Sequence, residues 1–185
     1  MKFKNLNYLV IITYLISSTF AYSIDLPDIK NLIVHKDKKK IEHVEFINSK
    51  NKKVSLKDFN SNLVLINFWA TWCAPCKEEM PSLNRLKSKD EFKDIEIIPV
   101  NIGDEKYKKS KEFFEELNID KLEIFSGSGA ELAKKFQLRG VPTTIIINKD
   151  GYEFARIVGY IDFENQAFLD WLTNHLWNFV LIQQS

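Results

Sequence analysis

The chain has 185 residues, 45% of them apolar and 13% aromatic, and a formal net charge of +1. That suffices for one domain with its own core and is too short for two comfortable ones. The near balance of charge offers no basic surface for nucleic acid, and two cysteines among so many aromatic and aliphatic residues mean that the fold need not rest on a disulfide staple.

The N-terminus reads as an address. Lys2 and Lys4 precede a mostly apolar stretch, residues 6–16, and Ser17-Ser18-Thr19-Phe20-Ala21 supplies small residues for cleavage after Ala21. The apolar part is shorter than the ~20 residues of a spanning helix, and Asn7, Thr13 and Ser17 interrupt it. A cleaved export signal over residues 1–21 is the expectation, with a retained membrane anchor as the alternative. Without residues 1–21, which contain no acid, 24 basic residues face 25 acidic ones. Export implies an oxidising compartment, where a cysteine pair stays reduced only if something reduces it.

Residues 22–42 are weakly patterned and read as a spacer holding one apolar patch, Leu32-Ile33-Val34, with the domain itself expected over 43–185. The lysine clusters at 38–40, 52–53 and 108–109 alternate with acids and Asn and read as solvated faces or turns. Residues 44–47 read as a strand, 48–51 as a turn, and Lys53-Val54 as the returning strand. Ser55 followed by Asp58 fits one capped helical turn.

Residues 63–69 are a buried strand and 73–89 a helix, with Pro81 inside it as a kink. Residues 95–101 form a second buried strand. Phe113, Phe114 and Leu117 fall at helical spacing within 104–117. Residues 122–125 are a short strand candidate, 129–136 a short helix, and 141–147 a strand preceded by proline. Asn148-Lys149-Asp150-Gly151 turns the chain back into an antiparallel strand over 152–158. The last helix, 163–180, carries Phe168, Trp171, Leu172, Leu176, Phe179 and Val180 on one stripe, which reads as core packing. This order describes an α/β fold, a mixed central sheet with helices on both faces.

Both cysteines lie in Trp72-Cys73-Ala74-Pro75-Cys76, where the strand gives way to the helix. The partial positive charge and unpaired N–H groups of a helix start favour the thiolate of Cys73, and the thiolate is the attacking species. Cys76 falls on the same helical face and is placed to resolve a mixed disulfide. Read as a structural bond, so small a loop would be a poor staple. Read as half a zinc site, the pair lacks ligands at suitable spacing, since His35, His43 and His175 are scattered.

The run from Phe68 to Pro81 together with Gly140-Val141-Pro142-Thr143-Thr144 resembles the thioredoxin superfamily, and more closely its exported TlpA/ResA/CcmG-type thiol–disulfide oxidoreductases. Val54-Ser55-Leu56-Lys57-Asp58-Phe59 and Val100-Asn101-Ile102-Gly103-Asp104 strengthen that likeness, which covers about residue 44 onward. It implies a thioredoxin fold with an N-terminal β-hairpin extension and one inserted helix. It implies Cys73 as nucleophile, Cys76 as resolving cysteine and Pro142 as a cis proline packed against them. Val141 would offer its backbone to substrate, and Trp72, Ala74 and Pro75 would flank the reacting sulfurs. Where thioredoxin has a buried Asp in the central strand, this chain has Asn67, which cannot exchange a proton. Glu79, one helical turn after Cys76, is then the candidate acid–base group.

A copper-delivery protein would want a Cys-x-x-x-Cys spacing, and a peroxiredoxin a proline absent here. The expected function is dithiol–disulfide exchange without cofactor or metal, by a monomer that is periplasmic or membrane-anchored facing the periplasm. The partners implied by the resemblance are client proteins with disulfides, such as an apocytochrome c, and a membrane dithiol electron donor. Disulfide donation would use the same residues.

Overall fold

The structure is a computed structural model and describes residues 29–59 and 61–181. The expected export signal at 1–21, and the side chains of Phe179 and Val180, lie outside what is described.

Eight strands form one mixed sheet: β1 (Leu32–Lys40), β2 (Glu45–Ile47), β3 (Lys53–Ser55), β4 (Leu63–Trp69), β5 (Ile95–Asn101), β6 (Phe125–Ser126), β7 (Thr143–Asn148) and β8 (Tyr152–Val158). Their spatial order is β1-β8-β7-β4-β5-β6-β2-β3. β4, β5 and β6 run parallel, while β7 lies antiparallel beside β4 and β8 antiparallel beside β7. Among the described residues four α-helices complete the fold: α1 (Ala74–Lys87), α2 (Tyr107–Glu116), α3 (Gly129–Phe136) and α4 (Gln166–Leu181).

All seven residues of β4 are buried, so its apolar run needs no alternation, as expected of a strand covered on both faces. Its side chains nevertheless sort by parity. Leu63, Leu65 and Trp69 meet Met80, Leu83 and Leu86 of α1, Phe113 and Phe114 of α2, and Phe168 and Leu172 of α4. Val64, Ile66 and Phe68 meet Leu132 and Phe136 of α3 and Val44 and Phe46 beside the hairpin. Asn67 therefore sits on the α1 side, between two apolar neighbours.

α1 continues through Pro81, which cannot donate to the Lys77 carbonyl. Gly129, the first residue of α3, has no room for a side chain, since a Cβ there would lie 2.3 Å from the Ile102 carbonyl oxygen. Ser55 and Asp58 form the expected capping box on a single 3₁₀ turn.

Two expectations are corrected. Residues 32–40 are not a spacer but edge strand β1, paired antiparallel with β8 from Leu32↔Ile157 to Lys40↔Tyr152. An edge strand is wetted on one side and blunted by lysines, so its pattern is diluted. What pins it is a buried charge cluster. Glu153 is fully buried, and its Oε1 receives His35 Nε2 at 2.8 Å from β1, Arg156 Nε at 2.6 Å and Arg156 Nη2 at 2.5 Å.

Secondly, of the strand expected at 122–125 only Phe125 is in a strand: with Ser126 it forms β6, and the two pair with Val100 and Asn101 of β5. Asn84 of α1 explains this. Its Oδ1 accepts the Lys121 N–H at 2.9 Å and its Nδ2 donates to Asp120 at 3.1 Å, so the segment is tied to α1 before it reaches β5. Leu122 and Ile124 still bury into the core.

Replacing Glu153 by Ala should leave the largely buried Arg156 without its anion and cost about 3–5 kcal/mol. Urea unfolding checks the loss, and amide exchange in β1 should rise with it. An unchanged midpoint would show that the cluster does not hold the edge.

Candidate active site

Cys73 is the N-cap of α1, in extended conformation, with Pro75 in the first turn where its missing N–H costs nothing. The two cysteines form a disulfide with Cα atoms 5.3 Å apart. The Cys76 backbone N–H donates to Cys73 Sγ at 3.2 Å, so one of the helix's unpaired N–H groups already points at the first sulfur. That donor and the helix dipole favour a thiolate at Cys73 over Cys76. Cys73 is 4% exposed and Cys76 1%, which leaves Cys73 as the sulfur nearer solvent.

The expected flanking residues divide. Trp72 projects from the surface with 69% of its area exposed, and Ala74 and Pro75 are exposed beside it. Trp69, three residues earlier, is fully buried with its ring centroid 4.7 Å from Phe113 and 5.4 Å from Phe114. The Val141–Pro142 bond is cis. Pro142 is buried, and the half-buried Val141 packs against the cluster that contains both cysteines.

Glu79 lies one turn beyond Cys76 and is buried, at 1% exposure. Burial pushes its carboxyl up to about 7, against the opposing pull of hydrogen bonds from Asn67 and the Ile161 backbone. Asn67 Nδ2 donates to Glu79 Oε1 at 2.7 Å and to Thr144 Oγ1 at 2.9 Å, while Ile161 N–H donates to Oε2 at 3.1 Å. Asn67 Oδ1 is buried without a hydrogen-bond partner. The residue that departs from thioredoxin's Asp is thus the direct neighbour of the candidate acid. The sequence carried a signal for this contact: Asn67 is the lone polar residue in the β4 run.

A second polar cluster was not legible. Glu105, between β5 and α2, accepts the Thr71 hydroxyl, and its Oε2 accepts the Thr71 backbone N–H and Asn101 Nδ2, each at 3.2 Å. Asn101 Nδ2 also donates to Ser110 at 2.7 Å, and its Oδ1 accepts the Gly103 N–H at 2.7 Å. Burial raises the Glu105 carboxyl, but the bonds from Thr71 and Asn101, with Lys109 nearby, outweigh it and hold the group below the usual carboxylate range. Nothing in the charged stretch 104–116 marks Glu105 among its neighbours.

His175 is packed between Trp171 and Phe154, and its Nδ1 meets the Trp171 carbonyl at 2.8 Å. Among the described residues no three His, Cys, Asp or Glu side chains converge on a possible metal, and no helix is long and apolar enough to cross a membrane.

A mixed sheet whose central strand feeds a helix beginning with Cys-x-x-Cys, with a cis proline just ahead of the neighbouring antiparallel strand, defines a thioredoxin-fold protein. The profile of the Redoxin family matches residues 26–167. The thiol-disulfide oxidoreductase ResA of Bacillus thuringiensis (strain Al Hakam) is 31% identical over 163 residues, 86% of this chain and 91% of that protein. ResA of Bacillus thuringiensis subsp. konkukian is 38% identical over 108 residues, which spans 58% of this chain and 61% of that relative, less than two thirds of its length. Among solved structures, a secreted thiol-disulfide isomerase from Corynebacterium glutamicum superposes with a TM-score of 0.66 at 20% identity, covering 81% of this chain and 94% of that one. A DsbF homologue from Corynebacterium diphtheriae gives 0.61 at 21% identity, covering 82% and 95%. The chain belongs to the Redoxin family, as a ResA-like member of the thioredoxin superfamily.

Because the folded state raises the Glu79 pKa from 4.5 to about 7, folding favours its protonated form. That contribution, about 3 kcal/mol in full, is intact below pH 4.5 and is lost progressively as pH rises from there through about 7. Urea unfolding of the oxidised protein across that window should show the loss, and Glu79→Gln should flatten it. Parallel slopes for the two proteins would mean that Glu79 ionises as freely folded as unfolded.

Proposed function

We propose that this protein is an extracytoplasmic thiol–disulfide oxidoreductase that reduces disulfides in client proteins through Cys73 and Cys76. The observation that carries the reading is the pairing of the chain's two cysteines at the start of α1, with a backbone N–H on the Cys73 sulfur. The likeness to ResA supports it. So does the basic, then apolar, then small-residue pattern of residues 1–21, read here as an export signal or anchor ahead of the domain.

In the proposed cycle the Cys73 thiolate attacks one sulfur of a client disulfide. The new Cys73–client bond forms as the client bond breaks, and the other client sulfur leaves as a thiolate. Cys76 then attacks Cys73 Sγ. The Cys73–Cys76 bond forms, the second client sulfur departs, and two electrons have passed to the client. Glu79 takes up the Cys76 proton as that thiol is consumed. A carboxyl poised at about 7 holds or releases a proton at little cost near neutral pH. Val141 and Pro142 would align an extended client segment beside Trp72, Ala74 and Pro75. The oxidised pair is then reduced by a membrane dithiol carrier. An apocytochrome c, whose cysteines must be reduced before assembly, fits as client, and the protein acts as a monomer.

The reduction potential of the pair separates reductant from oxidant. A value near ~−270 mV is expected, while one near ~−120 mV would mark a disulfide donor. Cys76→Ser should trap mixed disulfides on Cys73 in an exported-protein extract, and non-reducing gels with mass spectrometry read them. Absence of any adduct would remove Cys73 as the exchange residue. Alkylation of Cys76 in the reduced protein should show a titration near pH 7 that Glu79→Gln abolishes; an unaltered profile would remove Glu79 from proton transfer.

A further inference from the structure

The three residues that lead into the active site are each gripped by α2 or by the segment between β5 and α2. Trp69 is wedged against Phe113 and Phe114. Ala70 lies so close to Gly103 that a Cβ added there would stand 3.1 Å from Ala70 Cβ, and equally 3.1 Å from Asn101 Oδ1 and Glu105 Oε2. Thr71 gives both its hydroxyl and its backbone N–H to Glu105. The Glu105 carboxylate is in turn oriented by Asn101, a buried residue at the end of β5 anchored on Ser110 and Gly103. The next residue, Trp72, is 69% exposed, and the one after it is Cys73.

A loop of ordinary sequence leaving a strand would be free to move, and an exposed indole on it would lose rotational freedom on meeting a client. Here the loop is held by one carboxylate from a different element, up to the residue before the indole. We propose that Glu105 is a positioning residue: by clamping Thr71 it presents Trp72 beside Cys73 in a fixed pose, and so determines how well an extended, cysteine-containing client segment docks. The inference rests on the exchange role proposed for Cys73. Glu105 acts through Thr71 and Trp72, and it touches no reacting atom.

The partner this pose fits is a polypeptide that offers an apolar side chain next to its disulfide. Small disulfides and alkylating agents make no use of the indole, so the clamp should discriminate by substrate size. Gln at position 105 keeps an oxygen for the Thr71 hydroxyl and is the conservative variant. Ala removes the clamp.

The test compares wild type, Glu105→Ala, Glu105→Gln, Trp72→Ala and the Trp72→Ala/Glu105→Ala double variant, with insulin as the protein disulfide and glutathione disulfide as the small one. Glu105→Ala should lower kcat/KM for insulin about tenfold, chiefly through KM, with Glu105→Gln recovering most of it. Exchange with glutathione disulfide, and iodoacetamide alkylation of Cys73, should change less than about twofold. The effects of Trp72→Ala and Glu105→Ala on insulin should not add.

Nitrogen-15 relaxation of the Trp72 indole reports the pose without any activity, and its order parameter should fall in Glu105→Ala. A rigid indole in that variant, equal losses on insulin and glutathione disulfide, or additive effects would each overturn the proposal. Failure of the wild type to exchange with insulin and glutathione disulfide would sink the oxidoreductase reading instead, and the indole relaxation would still decide whether Glu105 fixes Trp72.

Discussion

β4 is covered by helices on one face and by α3 and the hairpin on the other, and the site is placed by where that covering stops. Trp69 is the last residue of the strand and has no exposed surface. Four residues later the chain has become the cap of α1. The transition from a strand with no wet side to a helix start must happen within Ala70, Thr71 and Trp72, and it leaves the first cysteine where the helix's N–H groups and dipole are strongest. A strand with one solvated face would not anchor that turn so tightly. Burial of β4, which is mere core packing, thereby fixes the electrostatics of a sulfur atom.

The same burial sets the cost of the acid beneath the cysteines. Glu79 reaches back to β4 and finds Asn67, and from the far side it finds the Ile161 N–H. Two hydrogen bonds favour the ionised form, yet desolvation outweighs them and the carboxyl rises to about 7. A third donor, or an arginine, would return it to the ordinary carboxylate range and fix it as an anion. The group is held between charged and neutral because its partners are few and uncharged. Glu105 shows the opposite outcome with the same chemistry. It is more accessible and receives three hydrogen bonds, so it stays ionised and serves as an anchor.

Legibility in the sequence followed the locality of the physics. β4, β5 and β8 were read to the residue because their apolar runs and turn signals are self-contained. The cysteine pair, the capping box at Ser55 and the cis bond before Pro142 are likewise encoded within a few positions or by a specific motif. β1 was missed because an edge strand with lysines looks like solvated chain until β8 is set beside it, and Glu153, which holds it, is 118 residues from His35. β6 was overextended because nothing near 122–125 announces that Asn84 has taken the backbone of that segment. Asn67 is visible in the sequence as an anomaly and Glu79 as the candidate acid in its stead, but that the one donates to the other emerges only when the parity of β4 turns Asn67 toward α1. Glu105 was invisible because its meaning lies wholly in Thr71, 34 residues away.

The unpartnered Asn67 Oδ1 has a consequence for that buried acid. A primary amide carries a donor and an acceptor on one planar group, and a half-turn exchanges them. With Glu79 ionised, Nδ2 is the end that suits it. With Glu79 neutral, the carboxylic O–H is a donor, and Oδ1 becomes the matching end. Thr144, the amide's other neighbour, bears a hydroxyl that serves equally as donor or acceptor, so it tolerates either orientation. A side chain that exchanges no proton can therefore offer the acid either a donor or an acceptor, the turned orientation leaving its own N–H groups where no acceptor meets them, while an aspartate would compete for the proton and a leucine would ignore it.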